Sequence, residues 1–462
     1  MLRILAQETT KKINQTVKLA GFVHSTRRMG SIIFIDLRDI SGLVQVVFDK
    51  SMVEAKELRP EYVVELEGKV VERSEKNINP NLPTGRIEIQ ASSLKIHSKA
   101  KTPPFQLDNE EKMKGVSEEL RLKYRYLDLR REKMQTILKK RAEIIKFIRD
   151  YLTKENFIEI ETPILTKGTP EGAREYIVPS RNFPGKFYVL PQSPQQFKQL
   201  LMVSGLERYF QIAKCFRDED PRSDRQPEFT QLDLEMSFVD EEDVLKIVEK
   251  LFISLLKELF PEKKLTFGNK IPRISYQEAM EKYKSDKPDL RKDKNDKNEI
   301  AFCFIIDFPL FVYSEEEKRL VPQHHLFTSP KDKDMKLLDS EPEKALAKQY
   351  DFIMNGYEIA GGSIRIHDPE IQQKIFKILK IEEGEARRRF GHILEAFSFG
   401  VPPHGGIASG LDRVVAILCG TENIREVIAF PKTADAKDLM MGAPSELSDK
   451  QIAEANIKVS KK

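Results

Sequence analysis

Cysteine is scarce in this chain: three in 462 residues, at Cys215, Cys303 and Cys419, far apart and each in apolar surroundings. That spacing supplies neither a disulfide framework nor a zinc site, and buried free thiols are expected. No apolar run approaches the ~18 residues a membrane helix needs. The apolar stretch in MLRILAQETTKK is too short for a secretory signal, so a cytoplasmic protein without a membrane partner is expected. Internal repeats are absent. Net charge is small, +4, with 40% hydrophobic and 32% charged residues, the balance of an ordinary soluble chain. The excess sits in residues 1–100, which hold 16 Lys+Arg against 12 Asp+Glu, while the remainder holds 61 of each. A positive N-terminal part suits a polyanionic partner.

What is present has a readable order. VKLAGFVHSTRR, GSIIFIDLRD, GLVQVVFD, YVVELEGKVVER and GRIEIQASSLKIHS are β-patterned segments separated by Gly-bearing turns. Five such strands predict a small OB-type barrel over residues 1–102. Residues 103–135 read as a linker with paired prolines and a charged helical stretch. Residues 136–445 mix helices with β-hairpin patterning, an α+β arrangement in which an antiparallel sheet is flanked by helices. It begins with a helix carrying Ile137, Ile144, Ile148 and Leu152 at helical spacing. KSDKPDLRKDKNDKN, 284–298, reads as an exposed connector. HGGIASGLDRVVAILCG reads as a Gly-rich turn entering a buried helix, and 446–462 as a frayed polar tail.

Four constellations carry chemistry. In FRDEDPRSDRQPEFTQLD, 216–233, arginine forks suit phosphate oxygens and Phe229 offers a platform for a flat base. The acids beside them would orient the arginines. A solvated hairpin tip with surface ion pairs is the competing reading. In GLDRVVAIL, Arg413 lies in the first turn of an apolar helix, where anions are favoured. In DFIMNGYEIAGGSIRIHD, odd spacing would put Asp351 and Glu358 on opposite faces of one strand. The Asn355–Gly356 turn breaks that parity. Two inward acids would suit Mg²⁺ on substrate phosphates, with Arg365 a fixed cation. TKGTPEGAREY followed by LPQSPQQFKQLLM reads as a lid over a small polar pocket, with Ser193, Gln195 and Lys198 opening a helix.

In this order the parts resemble the three signature motifs of class II aminoacyl-tRNA synthetases. RYLDLRR, TPEGAREY, LPQSPQQFKQLLM, FRDEDPRSDRQPEFTQLDLE, HHLFTSPKD, NGYEIAGGSIRIH and PPHGGIASGLDR resemble the bacterial aspartyl type. The resemblance implies ATP and L-aspartate as substrates, tRNA-Asp as acceptor and a homodimer built on the helix leading to ETPIL. It implies that Arg217 holds the α-phosphate, Phe229 stacks on adenine and Arg413 grips the γ-phosphate. Asp218, Glu219, Gln226, Gly410, Leu411 and Asp412 complete the ATP site, and Asp351 and Glu358 hold Mg²⁺. Glu171, Ser193, Gln195, Asp233 and His324 would surround the amino acid, with Lys198 and Arg365 clamping its side-chain carboxylate. Lys198→Leu is then expected to abolish aspartate activation and leave the fold intact.

The resemblance also assigns the barrel to the anticodon, with Phe34 stacking on a base and Gln45 and Glu88 contacting bases. Met29 lies near a position that influences whether tRNA-Asn is charged as well, and methionine there leans towards discrimination. One departure is plain. The bacterial type carries a domain of more than a hundred residues between its second and third motifs, and here only about 284–300 remain of it. A catalytically silent tRNA-binding relative is the alternative of another class, against which both motif arginines stand.

Overall fold

The computed structural model describes residues 2–168, 172–220 and 222–460. It divides into two compact units, Met1–Arg121 with Tyr126–Arg131, and Leu122–Arg125 with Glu132–Lys462. The first is a closed barrel of five strands in the order β1-β2-β3-β5-β4. These are β1 (Thr16–Met29), β2 (Ile32–Asp39), β3 (Gly42–Phe48), β4 (Val63–Glu72) and β5 (Ile87–Ser98). Period-2 patterning sorts the side chains. Ile33, Ile35 and Leu37 of β2 are buried inside with Val44, Val46, Val64, Leu66 and Ile89, while Phe34 and Asp36 turn outward. Three short helices follow, α1 (Glu110–Met113), α2 (Glu118–Lys123) and α3 (Arg125–Asp128).

From Glu132 on, the second unit holds α4 (Glu132–Lys154), β6 (Ile158–Glu159), the small hairpin β7 (Ile177–Pro179) and β8 (Phe187–Val189), and α5 (Gln195–Val203). Next come β9 (Arg208–Phe216), β10 (Glu228–Ser237), α6 (Glu241–Leu259), β11 (Lys264–Leu265), β12 (Arg273–Ser275) and α7 (Tyr276–Tyr283). The strands β13 (Glu299–Ile300), β14 (Phe302–Ile306), β15 (Phe311–Ser314), β16 (Arg319–Pro322), β17 (Gln349–Met354) and β18 (Tyr357–Ile364) follow. The last elements are α8 (Pro369–Ile378), α9 (Glu383–Ser398), β19 (His404–Gly410), α10 (Leu411–Leu418) and α11 (Asp449–Glu454). Eight of the strands form one sheet, ordered β12-β14-β17-β18-β19-β10-β9-β6. Its interior pairs are antiparallel, whereas β12 on β14 and β6 on β9 are parallel, so the expected antiparallel sheet is mixed at both edges.

One face of this sheet packs against α4, α6 and α10. Leu232, Leu234 and Met236 of β10 meet Ile144, Ile148, Val248, Leu251, Val414 and Val415 there. Asp240 caps α6 with a reciprocal capping box at Asp243. Two expectations fail locally. HGGIASG is a central strand, not a turn, because only glycine fits its partners. A Cβ on Gly406 would lie 2.0 Å from Glu235 Oε2 and 2.1 Å from the Leu234 carbonyl. The polar tail is not wholly irregular, since Ser448 caps the short helix α11. Residues 284–298 hold no helix or strand; the run 292–298 is largely exposed, whereas Pro288 is buried and Leu290 packs against a small apolar cluster, so the expected exposed connector is exposed only in its second half.

Candidate active site

The opposite face of the sheet is polar. On β10, Gln231, Asp233 and Glu235 alternate with the core residues, and register sets Asp233 opposite Gln211 on β9 and Ala408 on β19. Ala408 faces Gly361 on β18, which faces Asp351 on β17. The central strands thus carry glycine, alanine and serine where neighbours carry acids and amides. The missing side-chain volume opens a cavity of about 440 Å³. Ser193, Gln195, Lys198, Arg217, Glu219, Gln226, Phe229, His324, Glu358, Arg365, Gly410, Asp412 and Arg413 all line it, although they come from widely separated stretches.

At one end, four buried charges interlock. Lys198 Nζ, on the first turn of α5, lies 2.6 Å from Asp233 Oδ1 and 3.2 Å from Glu235 Oε2. Arg365 Nε donates to Glu235 Oε1 at 3.0 Å, and its Nη1 donates to Ser363 Oγ at 2.6 Å. All four residues are 2% exposed or less. Burial pushes the Asp233 carboxyl above its ordinary range, with Lys198 pulling it down. For Glu235 burial acts the same way, but Arg365 and Lys198 prevail and its pKa falls. Asp233 therefore does not line the cavity but supports Lys198 from behind. Glu235, which sequence reading missed, bridges both cations. Acids at alternate positions of an otherwise apolar strand, LDLEMS, were the available signal. Burial and the cations Arg365, Lys198 and Arg217 pull His324 down to about 3, leaving a neutral imidazole at the cavity wall.

At the other end stand two arginines. The Arg217 guanidinium lies over the Phe229 ring, 5.1 Å from its centroid, and its Nε is buried without a hydrogen-bond partner. The loop acids do not orient it. Glu219 instead pairs with Arg225 at 2.9 Å. Arg413 is held by Asp224 at 3.2 Å and by the Glu358 carbonyl, and its Nε is likewise buried and unpartnered. Two arginines with spare donors in one cavity suit a polyphosphate. Asp412 acts as a brace, accepting from the Thr230 N–H at 2.8 Å and from Arg141 at 2.6 Å. Gln226 is fixed by reciprocal bonds of 3.1 and 2.8 Å to the Lys432 backbone. Leu411 is a core residue, and Asp218, beside Arg174, is half exposed; neither lines the cavity.

The turn at Asn355–Gly356 pairs Ile353 with Glu358, which puts Glu358 on the face of Asp351. A bulge at Ile359 then sets Gly361 against Asp351. A Cβ on Gly361 would sit 3.1 Å from Asp351 Oδ1, 3.7 Å from Glu358 Oε1 and 3.9 Å from His324 Nε2. The carboxylates therefore converge over a residue without a side chain. Burial, then Glu358, pushes the Asp351 carboxyl well above its ordinary range. Two mutually repelling carboxyls beside the arginine cluster fit a hard divalent cation. Glu171 lies outside the described residues. The Gln192 side chain bonds both backbone groups of Ala173, at 3.0 and 3.1 Å, tying Ala173 to the cavity rim.

In the barrel unit, Phe34 is half-buried on the outer face, paired with Arg27 on β1 and Val47 on β3. Gln45 Nε2 donates to Glu88 Oε2 at 3.0 Å and Arg27 donates to Gln45 Oε1 at 3.1 Å. An aromatic ring beside linked polar groups is a surface suited to unstacked bases. Met29, at the end of β1, is 70% exposed.

A family model for tRNA synthetases class II (D, K and N) matches residues 117–434, and one for the OB-fold nucleic acid binding domain matches 17–96. The chain is 44% identical to an aspartate–tRNA(Asp/Asn) ligase of Thermoanaerobacter sp. (strain X514), covering 98% of this chain and 97% of that protein. It is 41% identical to an aspartate–tRNA ligase of Staphylococcus carnosus (strain TM300), covering 98% of each. The first alignment runs over 583 positions against 462 residues here, so more than a hundred of its positions have no residue in this chain. Among solved structures, asparaginyl-tRNA synthetase from Pyrococcus horikoshii complexed with asparaginyl-adenylate matches with a TM-score of 0.76 at 26% identity, over 94% of this chain and 98% of that one.

Proposed function

The chain belongs to the class II tRNA synthetases of the D, K and N group, and from that premise we propose how its cavity works as the active site of an aspartate–tRNA ligase. ATP lies along the Arg217–Arg413 end, with adenine at Phe229. L-Aspartate sits with its side-chain carboxylate against Lys198 and Arg365. An oxygen of the α-carboxylate attacks the α-phosphorus in line. The new carboxyl–phosphate bond forms as the bond to the β-phosphate oxygen breaks, and pyrophosphate leaves. The terminal ribose hydroxyl of tRNA-Asp then attacks the aspartyl carbonyl, and AMP departs.

No side chain becomes covalently bound. The residues position the reactants and stabilise charge, which suits phosphoryl and nucleotidyl transfer. Arg217 and Arg413 bring donors that no group among the described residues uses. Neutral His324 can share the cavity with an anion's cationic partners without adding like charge. Asp351 and Glu358 would hold Mg²⁺, which when bound supplies neutralisation of phosphate charge.

One observation carries the aspartate assignment: the buried Lys198–Asp233–Glu235–Arg365 cluster opens into the same cavity as the phosphate-type arginines. Asparagine would set an amide against two cationic donors. Losing charge-assisted hydrogen bonds to both donors costs ~3 kcal/mol or more, so discrimination of at least ~100-fold is expected. ATP–pyrophosphate exchange with each amino acid tests this, and equal exchange with asparagine would overturn it.

A second reading adds tRNA-Asn as acceptor, because several similar relatives are named aspartate–tRNA(Asp/Asn) ligases. Charging purified tRNA-Asn with labelled aspartate separates the two. The reading includes a homodimer acting in the cytoplasm, which light scattering and fractionation test. Among the described residues no helix is long and apolar enough to cross a membrane.

A further inference from the structure

At the amino-acid end of the cavity, a line of buried side chains leads back from the lining residue Gln195 to two residues that the reaction above does not use. Gln195 and Gln199 are one turn apart on α5, and His404 is the first residue of β19. Their exposures are 8%, 0% and 0%. His404 Nδ1 lies 2.8 Å from the Pro402 carbonyl, Gln199 Nε2 lies 3.1 Å from His404 Nε2, and Gln195 Nε2 lies 3.0 Å from Gln199 Oε1.

The direction of every hydrogen in this line follows from its far end. A carbonyl can only accept, so Nδ1 carries the proton. In a neutral imidazole Nε2 is then an acceptor, and the atom facing it must be the donor end of the Gln199 amide. The other end of that amide, Oε1, accepts from Gln195 Nε2. Gln195 therefore turns its own Oε1 to the cavity, where no described group donates to it. Each amide has one donor end and one acceptor end, so reversing one link reverses the rest. The reversed line would present the Gln195 NH₂ to the cavity instead.

We propose that His404, acting through Gln199, is a positioning residue that fixes the Gln195 carbonyl as the acceptor for the α-ammonium of the amino-acid substrate. The proposal rests on the functional reading above. The ring is well placed for this role. Phe397 packs edge-on against it at 5.9 Å, and the glycines that follow it in β19 leave no slack between β18 and β10. Burial lowers its pKa to about 4, with Glu235 opposing and Arg365 and His367 assisting, so the neutral tautomer persists at working pH.

The test compares aspartate with succinate, the same dicarboxylate without the ammonium, as a competitive inhibitor of pyrophosphate exchange. His404→Leu removes the acceptor at Nε2. It should raise KM for aspartate about tenfold or more, the cost of one hydrogen bond to a charged group. The succinate inhibition constant and KM for ATP should change by less than about twofold. His404→Gln, which restores an acceptor near Nε2, should bring KM for aspartate back to within about threefold of wild type. If His404→Leu does not fold, Gln199→Met carries the same expectations. Parallel weakening of aspartate and succinate, or an unchanged KM for aspartate, overturns the proposal. Wild-type enzyme without aspartate-dependent exchange would overturn the functional reading instead.

Discussion

Lys198→Leu tests the cluster most directly, and the structure changes what it should do. Viewed along the sequence, Lys198 is a substrate cation whose removal spares the fold. In three dimensions its ammonium contacts Asp233 at 2.6 Å and Glu235 at 3.2 Å, and both carboxylates are fully buried. Leucine keeps the apolar stem but leaves two buried carboxylates sharing one guanidinium. Removing one partner of a buried ion pair typically costs ~3–5 kcal/mol, because the charge left behind has lost its solvent and its partner. The variant should therefore unfold at clearly lower urea concentration and lose aspartate-dependent exchange. Adding Asp233→Asn removes one stranded charge, so the double variant should recover about half of the lost stability without regaining exchange. Exchange at the wild-type rate in Lys198→Leu would refute the substrate role. An unfolding free energy within ~1 kcal/mol of wild type would refute the buried-charge reasoning.

Further outcomes follow from other elements. His324 and His404 are held near pKa values of about 3 and 4, and His325 well below its ordinary value. Unfolded histidines take up protons near pH 6.5 while these do not. Stability should therefore be complete above that pH and fall as pH drops from about 6.5 towards 4, by up to ~1.4 kcal/mol per unit per histidine. Urea titrations between pH 6.5 and 5.5 would show it, and a flat profile would refute it. Gly406→Ala forces a Cβ to within 2.0 Å of Glu235 Oε2; a large loss of thermal stability and of exchange is expected, and a wild-type melting temperature would contradict the strand register. Phe34→Ala removes an outward ring from the barrel. If that ring stacks on a base, worth ~1–3 kcal/mol, KM for tRNA should rise about tenfold or more with exchange unchanged, whereas equal loss of both would indicate a folding role.

Much of the site was legible because its chemistry needs unusual residues in short stretches. Arginines around a Pro-broken loop, a glycine cluster before Arg413 and acids flanking an Asn-Gly turn stand out against any core pattern. Asp351 and Glu358 illustrate why parity arguments work: a two-residue turn dictates which faces agree, and the paired strands obey it. Failures came where a residue's role is set by what lies across the sheet. Gly405 and Gly406 look like a turn in one dimension but are strand residues, because Ile364 and Glu235 occupy the space their side chains would need. Asp412 and Gln226 line the cavity, yet the contacts that fix them are not local: Asp412 accepts from the Thr230 N–H and from Arg141, and Gln226 bonds the Lys432 backbone.

Hydrophobic periodicity, turn chemistry and charge placement pointed by themselves to the five-stranded barrel, the mixed helix-and-strand second unit and the arginine-bearing stretches able to handle phosphate, whereas the residues for a small dicarboxylate were named through the family resemblance. Those are properties of segments, and each is encoded within about twenty neighbouring positions. Only the tertiary structure decided which charges share a dielectric environment: that Asp233 and Glu235 neutralise Lys198 and Arg365, that Arg217 keeps a spare donor, and that His404 dictates the orientation of Gln195. Burial and pairing belong to sets of residues up to about two hundred positions apart in the chain, and no local pattern specifies them before the sheet is assembled.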